Sequence, residues 1–345
     1  MQMKRLEPVE ERSVWTAADL AADPSWRHRL SAAEIEELDQ ATRRAIAGGL
    51  KAGEFSREDF ELPTLGPRIG ALVDEVETGR GVAMLRGVPV ERYDADAIRV
   101  LYWGFGVHAG IPISQNSKGQ LISEVTDRGN SYADINARGF ATNAELSAHV
   151  DTSDMTTLLC LRTARSGGQS RVVSSTAVYN VVLAEHPEYL DVLYRGFHND
   201  LRGEGRTGDI NELTEQRVPV YSYHAGRVSC SFNYRMIEGG AVKSGVPLSA
   251  QERAALDFMR EVAARETLAY GFSLEPGDIQ MVSNHSVFHS RTAFVDHDEP
   301  DRKRCLLRFW MTLRDGRPLA TAFADRYNTG PRGGVAVGEG ARYVF

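Results

Sequence analysis

The sequence predicts a mainly β fold with flanking helices, and three observations carry that prediction. Many short segments are rich in β-branched or aromatic residues and are bounded by Gly, Asn or Asp. Two longer segments repeat apolar residues at helical spacing behind a capping signature. The 345 residues exceed a simple domain, yet Gly and Pro are dispersed and no linker, internal repeat or low-complexity stretch divides them. Strands and helices are therefore expected in one domain over 1–345, with 1–80 a mainly helical N-terminal region and 81–319 the β core with loop insertions.

The expected strands are Gly81 to Arg86, Gln120 to Val125, Thr156 to Arg162, Ser170 to Ser174, Pro219 to His224, Arg227 to Asn233, Asp278 to Ser283 and Arg304 to Leu313. Val220 to Cys230 reads as a hairpin with Ala225-Gly226 at its turn. Ser31-Ala-Ala-Glu34 is a capping box, followed by Ile35, Leu38, Thr42, Ala45 and Ile46 on one helical face. Ser249-Ala-Gln-Glu252 repeats the device before Ala255, Leu256, Met259, Val262 and Ala263, which predicts a helix near 250–265. Further helices are expected at Arg68 to Thr78, Ala95 to Phe105 and Thr176 to Tyr194, the last interrupted at Pro187. The polar, poorly periodic stretches Ser117 to Thr142 and Arg202 to Val218 are expected to be long loops near a site, in the manner of lids.

Charge excludes some classes of function. A formal net charge of -7 with interspersed signs gives no reason to expect nucleic acid, and the one basic cluster is Arg302-Lys303-Arg304. No apolar run approaches the roughly 20 residues needed to span a bilayer. The N-terminus lacks the apolar core of a signal peptide. A cytoplasmic protein acting on a small molecule is the resulting expectation, with self-association left open. Cys160, Cys230 and Cys305 are few, odd in number and set among apolar residues, so buried free thiols are expected in place of a disulfide framework or a zinc knuckle.

The chemistry-bearing residues begin at His149-Val-Asp151. In an extended segment, residues i and i+2 point to the same side, so one imidazole and one carboxylate can take two adjacent positions on a metal. A histidine arriving from a distance would complete a face, and two His with one carboxylate form the facial triad of non-haem iron(II) oxygenases. His285, His289 and His297 are the candidates about 140 residues on. His285 and His289 stand four apart, the spacing of a helical clamp. However, no Glu follows His285 to make a zinc-hydrolase motif, and the preceding run at 279–282 looks extended. These points disfavour a helical clamp.

Arg304 opens a strand in which alternation places Arg302, Arg304, Leu306, Arg308 and Trp310 on one face, with Lys303, Cys305, Leu307, Phe309 and Met311 on the other. A planar guanidinium matches a carboxylate bidentately and keeps its charge when buried. Gly167-Gly168-Gln169-Ser170 reads locally as a tight turn that could aim the serine hydroxyl.

In order, His149-x-Asp151, Gly167-Gly168-Gln-Ser170, His289 after Asn284, and Arg304 followed by Arg308 resemble the taurine dioxygenase-like (TauD/TfdA) family of Fe(II)/2-oxoglutarate-dependent oxygenases. The resemblance runs from about Gly81 to Leu319; neither the first hundred residues nor the tail beyond Leu319 carries a matching motif. It implies a double-stranded β-helix (a jelly roll, cupin-like) core with the metal near one open end. It implies Fe(II) held by His149, Asp151 and His289, with 2-oxoglutarate and O2 as cosubstrates and succinate and CO2 as products. His289 is preferred as the third ligand on its place relative to Asn284 and Arg304 in this resemblance, and His285 is read as structural. Arg304 then anchors the distal carboxylate of 2-oxoglutarate, assisted by Ser170. Arg308 resembles the position that holds the substrate's anionic group in taurine dioxygenase, and would serve a substrate or cosubstrate carboxylate. The carboxylate at Asp151, which related carrier-type halogenases lack, implies hydroxylation of an unactivated C–H bond; desaturation, ring closure and carbon–heteroatom cleavage stay open.

Substrate contacts are less legible. Gln115, Asn116 and Asn143 are candidate pocket residues, and the run Tyr102-Trp103-Gly104-Phe105 supplies aromatics suited equally to a pocket or a core. Two other classes stay open at this point. A zinc-dependent hydrolase could use the same His/Asp/His set but leaves Arg304 and Ser170 without a purpose. A non-catalytic jelly-roll binding protein would have no need of an intact triad.

Overall fold

Two β-sheets lie face to face at the centre, and the computed structural model describes residues 4–131, 136 and 138–338 of the chain. The larger sheet runs β1 (Arg27–Arg29), β2 (Val82–Arg86), β12 (Ile279–Ser283), β6 (Met155–Arg162), β15 (Cys305–Thr312) and β3 (Ile111–Pro112), with β4 (Ile122–Val125) beside β3 on the same edge of β15. The smaller sheet runs β11 (Tyr270–Phe272), β8 (Ser170–Ser174), β13 (Val287–Arg291) and β5 (Leu146–His149). The pairings within both sheets are antiparallel except β1 with β2. Two ribbons complete the β structure: β9 (Tyr221–His224) with β10 (Arg227–Cys230), and β7 (Ser166–Gly167) with β14 (Phe294–Val295).

Period-two alternation explains the layers. Along β15, Leu307, Phe309 and Met311 join Leu85, Ile279, Met281 and Leu159 in one apolar cluster with α2 (Ala32–Ala47), α3 (Leu65–Thr78) and α4 (Ala95–Ala109). The opposite face of the same sheet, through Val82, Met84, Cys160, Val282 and Leu306, meets Val172, Val287 and Phe272 of the smaller sheet. That second sheet turns Val173 and Phe288 outward onto α5 (Ser175–Glu185), α6 (Tyr189–Arg195) and α8 (Ala250–Ala264). The order is helices, sheet, sheet, helices, as the expected mainly β fold with flanking helices requires. Gly104 and Gly106 let α4 lie against Phe60 and Phe309, whose rings a Cβ at either position would strike.

Both capping boxes form, at Ser31/Glu34 and Ser249/Glu252. The expected helix over 176–194 breaks at Pro187 into α5 and α6. At the β9–β10 turn, Ala225 and Gly226 both have positive φ, 48° and 83°, as a two-residue primed turn demands. The sequence reading missed α1 (Ala17–Ala22), α7 (Tyr234–Ser244), α9 (Thr321–Ala324) and the strands β1, β3, β5, β7, β11, β13 and β14. Cys160, Cys230 and Cys305 are buried free thiols. Among the described residues no helix is long and apolar enough to cross a membrane. The expected loop at 117–142 contains β4, and its residues 132–135 and 137 lie outside the described residues.

Candidate iron and 2-oxoglutarate site

Neighbouring strands of the smaller sheet bring two histidines together. His149 ends β5 and His289 sits in β13, and the two are register partners with ring centroids 4.5 Å apart. The β5–β13 ladder shifts register between the His289/His149 and Arg291/Leu146 pairs, with the extra residue on β5 before His149, and β5 ends at His149. Asp151 lies two residues beyond the strand end. Its N–H donates to Asn284 Oδ1 at 3.0 Å, while the Asn284 amide donates to Ser153 Oγ and Thr156 Oγ1 at 2.9 and 3.0 Å. Asn284 is fully buried and clasps the end of β12 to the carboxylate segment.

His149, Asp151 and His289 each offer a ligand atom within 4.8 Å of the others. His289 Nε2 stands 3.7 Å from Asp151 Oδ2. His149 Nδ1 donates to the Ser147 carbonyl at 2.8 Å, which leaves its Nε2 with the lone pair a metal needs. Burial pushes the His289 imidazole down to about 3, helped by the neighbouring His149, and lowers His149 as well, so both rings are neutral at ordinary pH. Burial alone would raise the Asp151 carboxyl; the Arg308 guanidinium, the adjacent imidazoles of His289 and His149 and the Trp310 N–H outweigh it and hold Asp151 well below the usual carboxylate range. Asp151 Oδ2 accepts from Trp310 Nε1 at 2.8 Å and from Thr156 Oγ1 at 3.0 Å. Two neutral imidazoles and one anionic carboxylate, with His289 Nδ1 buried and unpartnered, are a donor set that fits a divalent first-row metal.

His285 is excluded by its own bonds. Its Nε2 meets Asp154 Oδ1 at 2.9 Å and its Nδ1 receives Arg326 NH2 at 3.3 Å, so both nitrogens are used. His297 is not part of the convergent group.

One cavity is lined by all three candidate ligands together with Ser170, Arg304 and Arg308. Of the face read from alternation, Arg304, Leu306, Arg308 and Trp310 line it, whereas Arg302 lies in the exposed turn before β15 and does not. Arg304 is 4 % exposed, its guanidinium lies 5.2 Å from the Phe294 ring, and NH1 has no hydrogen-bond partner. Gly168, at φ 70°, lets the turn before Ser170 pass close to it: a Cβ there would come within 3.2 Å of Arg304 Nε. Arg308 donates through Nε to Gln115 Oε1 at 2.8 Å, reaches Asp151 Oδ1 at 3.5 Å and leaves NH2 without a partner.

The structure places the remaining candidates elsewhere. Gln115 is buried and, besides Arg308 Nε, its amide serves the carbonyls of Leu121 and Arg308; it shapes the arginine from behind the cavity wall. Asn116 closes its own loop, accepting from the N–H groups of Lys118 and Gln120. Asn143 is exposed. None of the three lines the cavity, and Tyr102, Trp103 and Phe105 belong to the core beneath the larger sheet. Residues not singled out from sequence do line it, among them Arg138, Phe140, Arg202, Arg235, Gln280, Arg291 and Tyr327. Arg291 and Gln280 could have been found from strand alternation with His289 and Val282; the others sit on loops, a helix or the tail, where no periodicity marks them.

The family model for the taurine catabolism dioxygenase TauD, TfdA family matches residues 42–310. The chain belongs to the TauD/TfdA family. It is an Fe(II)/2-oxoglutarate-dependent oxygenase, and neither the zinc hydrolase nor the non-catalytic reading finds support. FR-33289 synthase from Streptomyces rubellomurinus is 33% identical over 322 residues, 92% of this chain and 94% of the relative. Taurine hydroxylase-like protein SAT17 from Stachybotrys chartarum is 26% identical over 311 residues, 87% and 78% of the two chains. Among solved structures, asparagine oxygenase in complex with Fe(II), 2S,3S-3-hydroxyasparagine and succinate is similar with a TM-score of 0.64 at 17% identity, covering 83% of this chain and 93% of that one. The non-heme iron oxygenase OrfP in complex with Fe and alpha-ketoglutaric acid gives 0.59 at 16% identity, covering 83% and 94%. These likenesses bear out the jelly-roll core of the TauD/TfdA oxygenases.

Proposed function

We propose that the chain oxidises a C–H bond of a small anionic organic substrate, with His149, Asp151 and His289 as the iron(II) ligands. The observation that carries this reading is the convergence on one cavity of the triad and two buried arginines, each with an unpartnered N–H edge. Bound iron(II) with 2-oxoglutarate and O2 supplies the oxidising power, releasing succinate and CO2. The chain's own residues do the binding and orienting. Arg304 offers a buried, constitutively charged fork to a carboxylate, and Ser170, 6 % exposed on the same cavity wall, offers a hydroxyl to it. Trp310 and Thr156 hold Asp151 by one oxygen, so the carboxylate cannot swing away when a metal is loaded. Neutral His149 and His289 present lone pairs without first losing a proton.

The anionic substrate follows from charge. Six arginines (Arg138, Arg202, Arg235, Arg291, Arg304 and Arg308) and one carboxylate, Asp151, are among the described lining residues. Arg138 is paired with Glu204; Arg304 and Arg308 carry the case for an anion, since each keeps an unpartnered N–H edge. Arg304 is assigned to the cosubstrate, and Arg308 is pinned by Gln115 with NH2 left to offer. A cavity of that sign concentrates anions. Hydroxylation is the outcome favoured by an intact carboxylate at Asp151.

Two measurements test the reading. Anaerobic addition of Fe(II) and 2-oxoglutarate should give a visible metal-to-ligand charge-transfer band. A panel of sulfonates, phosphonates and carboxylates matched with neutral isosteres should then raise succinate release above the uncoupled background only in its anionic half. No band removes the iron assignment; stimulation by the neutral compounds alone removes the anionic substrate.

A further inference from the structure

The family match ends at residue 310, yet the iron-binding segment is held by a residue beyond it. After β15 the chain crosses α9 and returns along the site. Phe323, Arg326 and Tyr327 are buried there, and Tyr327 joins the cavity wall. Arg326 NH1 donates to the carbonyl of Asp151 at 3.2 Å and to that of Ser153 at 3.4 Å, while NH2 donates to His285 Nδ1 at 3.3 Å. The next residue ties down the link between those carbonyls, since Thr152 Oγ1 donates to the Tyr327 hydroxyl at 2.5 Å.

This arrangement meets a need that the sheet leaves open. Asp151 lies past the end of β5, so no strand ladder fixes its peptide groups. Its N–H is taken by Asn284, from within the family match, and its C=O by Arg326, from outside it. Arg326 is 4 % exposed, and the nearest acid in its network, Asp154, is reached through His285. Burying a cation without a directly paired carboxylate is costly, and packing alone would be served by an apolar side chain of similar volume. A guanidinium spans two carbonyls and an imidazole nitrogen at once, which a methionine or a lysine cannot.

We infer that Arg326 is a positioning residue for the reaction: it fixes the backbone of Asp151 from behind, so that the carboxylate is presented to iron(II) in register with His149 and His289. The inference rests on the proposed metal ligands. Its chemistry is that of an outer-shell partner, whose loss typically weakens metal binding by about 10- to 100-fold.

The test uses the full-length protein and Fe(II) alone as the probe. Anaerobic Fe(II) affinity, from competition with a coloured chelator, and the melting temperature of the metal-free protein are measured for wild type, Arg326→Met, Arg326→Lys and Asn328→Ala. Asn328 lies on the same segment but bonds the 212–215 loop, through Glu215 N–H and the Leu213 carbonyl, without touching residues 151–153. Arg326→Met should lose about tenfold or more in Fe(II) affinity, and Arg326→Lys should lose less. Asn328→Ala should lower the melting temperature with Fe(II) affinity unchanged. Wild-type Fe(II) affinity in Arg326→Met overturns the inference. Should that variant fail to fold, unchanged affinity in Arg326→Lys overturns it equally. A wild-type protein that binds no Fe(II) overturns the ligand assignment and the inference with it, whereas a wild type that binds and an Arg326 variant that binds equally well overturns the inference alone.

Discussion

Arg304→Met should move stability and cosubstrate affinity in opposite directions. Arg304 is 4 % exposed with NH1 unpartnered, and the nearby carboxylate of Asp296 is engaged by the Arg304 backbone N–H at 2.7 Å. Burial lowers the guanidinium from its ordinary value, opposed by Cys160 and Asp296, so the charged form is under strain while no anion occupies the cavity. Replacing such a cation by an apolar side chain of similar volume is neutral or stabilising by about 1–4 kcal/mol. Removing one partner of a buried, hydrogen-bonded charge pair costs about 2–5 kcal/mol of binding. At about 1.4 kcal/mol per tenfold, 2-oxoglutarate affinity should fall by roughly thirty- to several thousand-fold. Calorimetric melting of the metal-free protein and anaerobic titration of the charge-transfer band with 2-oxoglutarate read the two effects separately. A variant that melts several degrees lower and still binds 2-oxoglutarate as wild type does would refute the reasoning, because Arg304 would then be a structural cation already satisfied by the protein.

Trp310→Phe keeps the apolar ring but deletes the N–H that meets Asp151 Oδ2 at 2.8 Å; Fe(II) affinity should drop about tenfold, measured by chelator competition, and an unchanged affinity would show that Thr156 holds the carboxylate alone. Acid should destabilise the metal-free protein. Burial depresses His285 from 6.5 to about 4 and His289 from 6.5 to about 3, so the unfolded chain takes up protons first; stability is full above pH 6.5 and is lost as pH falls from there, by about 2 kcal/mol per histidine at pH 5. Urea unfolding at pH 7 and pH 5 checks this, and coincident midpoints would contradict it. Glu204→Gln removes the charge that meets Arg138 at 2.7 Å and should cost about 1–3 kcal/mol, with faster limited proteolysis in 117–142 as the readout and Fe(II) affinity as the unaffected control.

What could be read from the sequence was whatever repeats with a period or is carried by a signature. Alternation along β15 separated Arg304, Arg308 and Trp310 from Phe309 and Met311, and the structure keeps that division between cavity and core. The capping boxes fixed the starts of α2 and α8 because two reciprocal hydrogen bonds need two particular residues three apart. β5 escaped because Leu146-Ser-Ala-His149 has neither β-branched residues nor alternation; its extended form is imposed by pairing with β13. Gln115 was noticed for the right chemistry in the wrong place: its amide is spent on Arg308 and two carbonyls, so it acts on the cavity through the arginine.

The tail is the instructive case. Arg326 and Tyr327 act from irregular chain, as single side chains reaching Asp151 and Thr152 across more than 170 residues of sequence. No local pattern encodes such a contact, since what selects the arginine is the geometry of carbonyls that exist only once β5 has ended and Asp151 has left the sheet. The donors that a metal demands are few in kind and therefore visible as motifs. The groups that aim those donors need only supply an N–H in the right place, and many residues at many positions can do so. The family match therefore covers His149, Asp151 and His289, the residues proposed to carry the chemistry, while Arg326, inferred to aim Asp151, lies in a segment that the match does not cover.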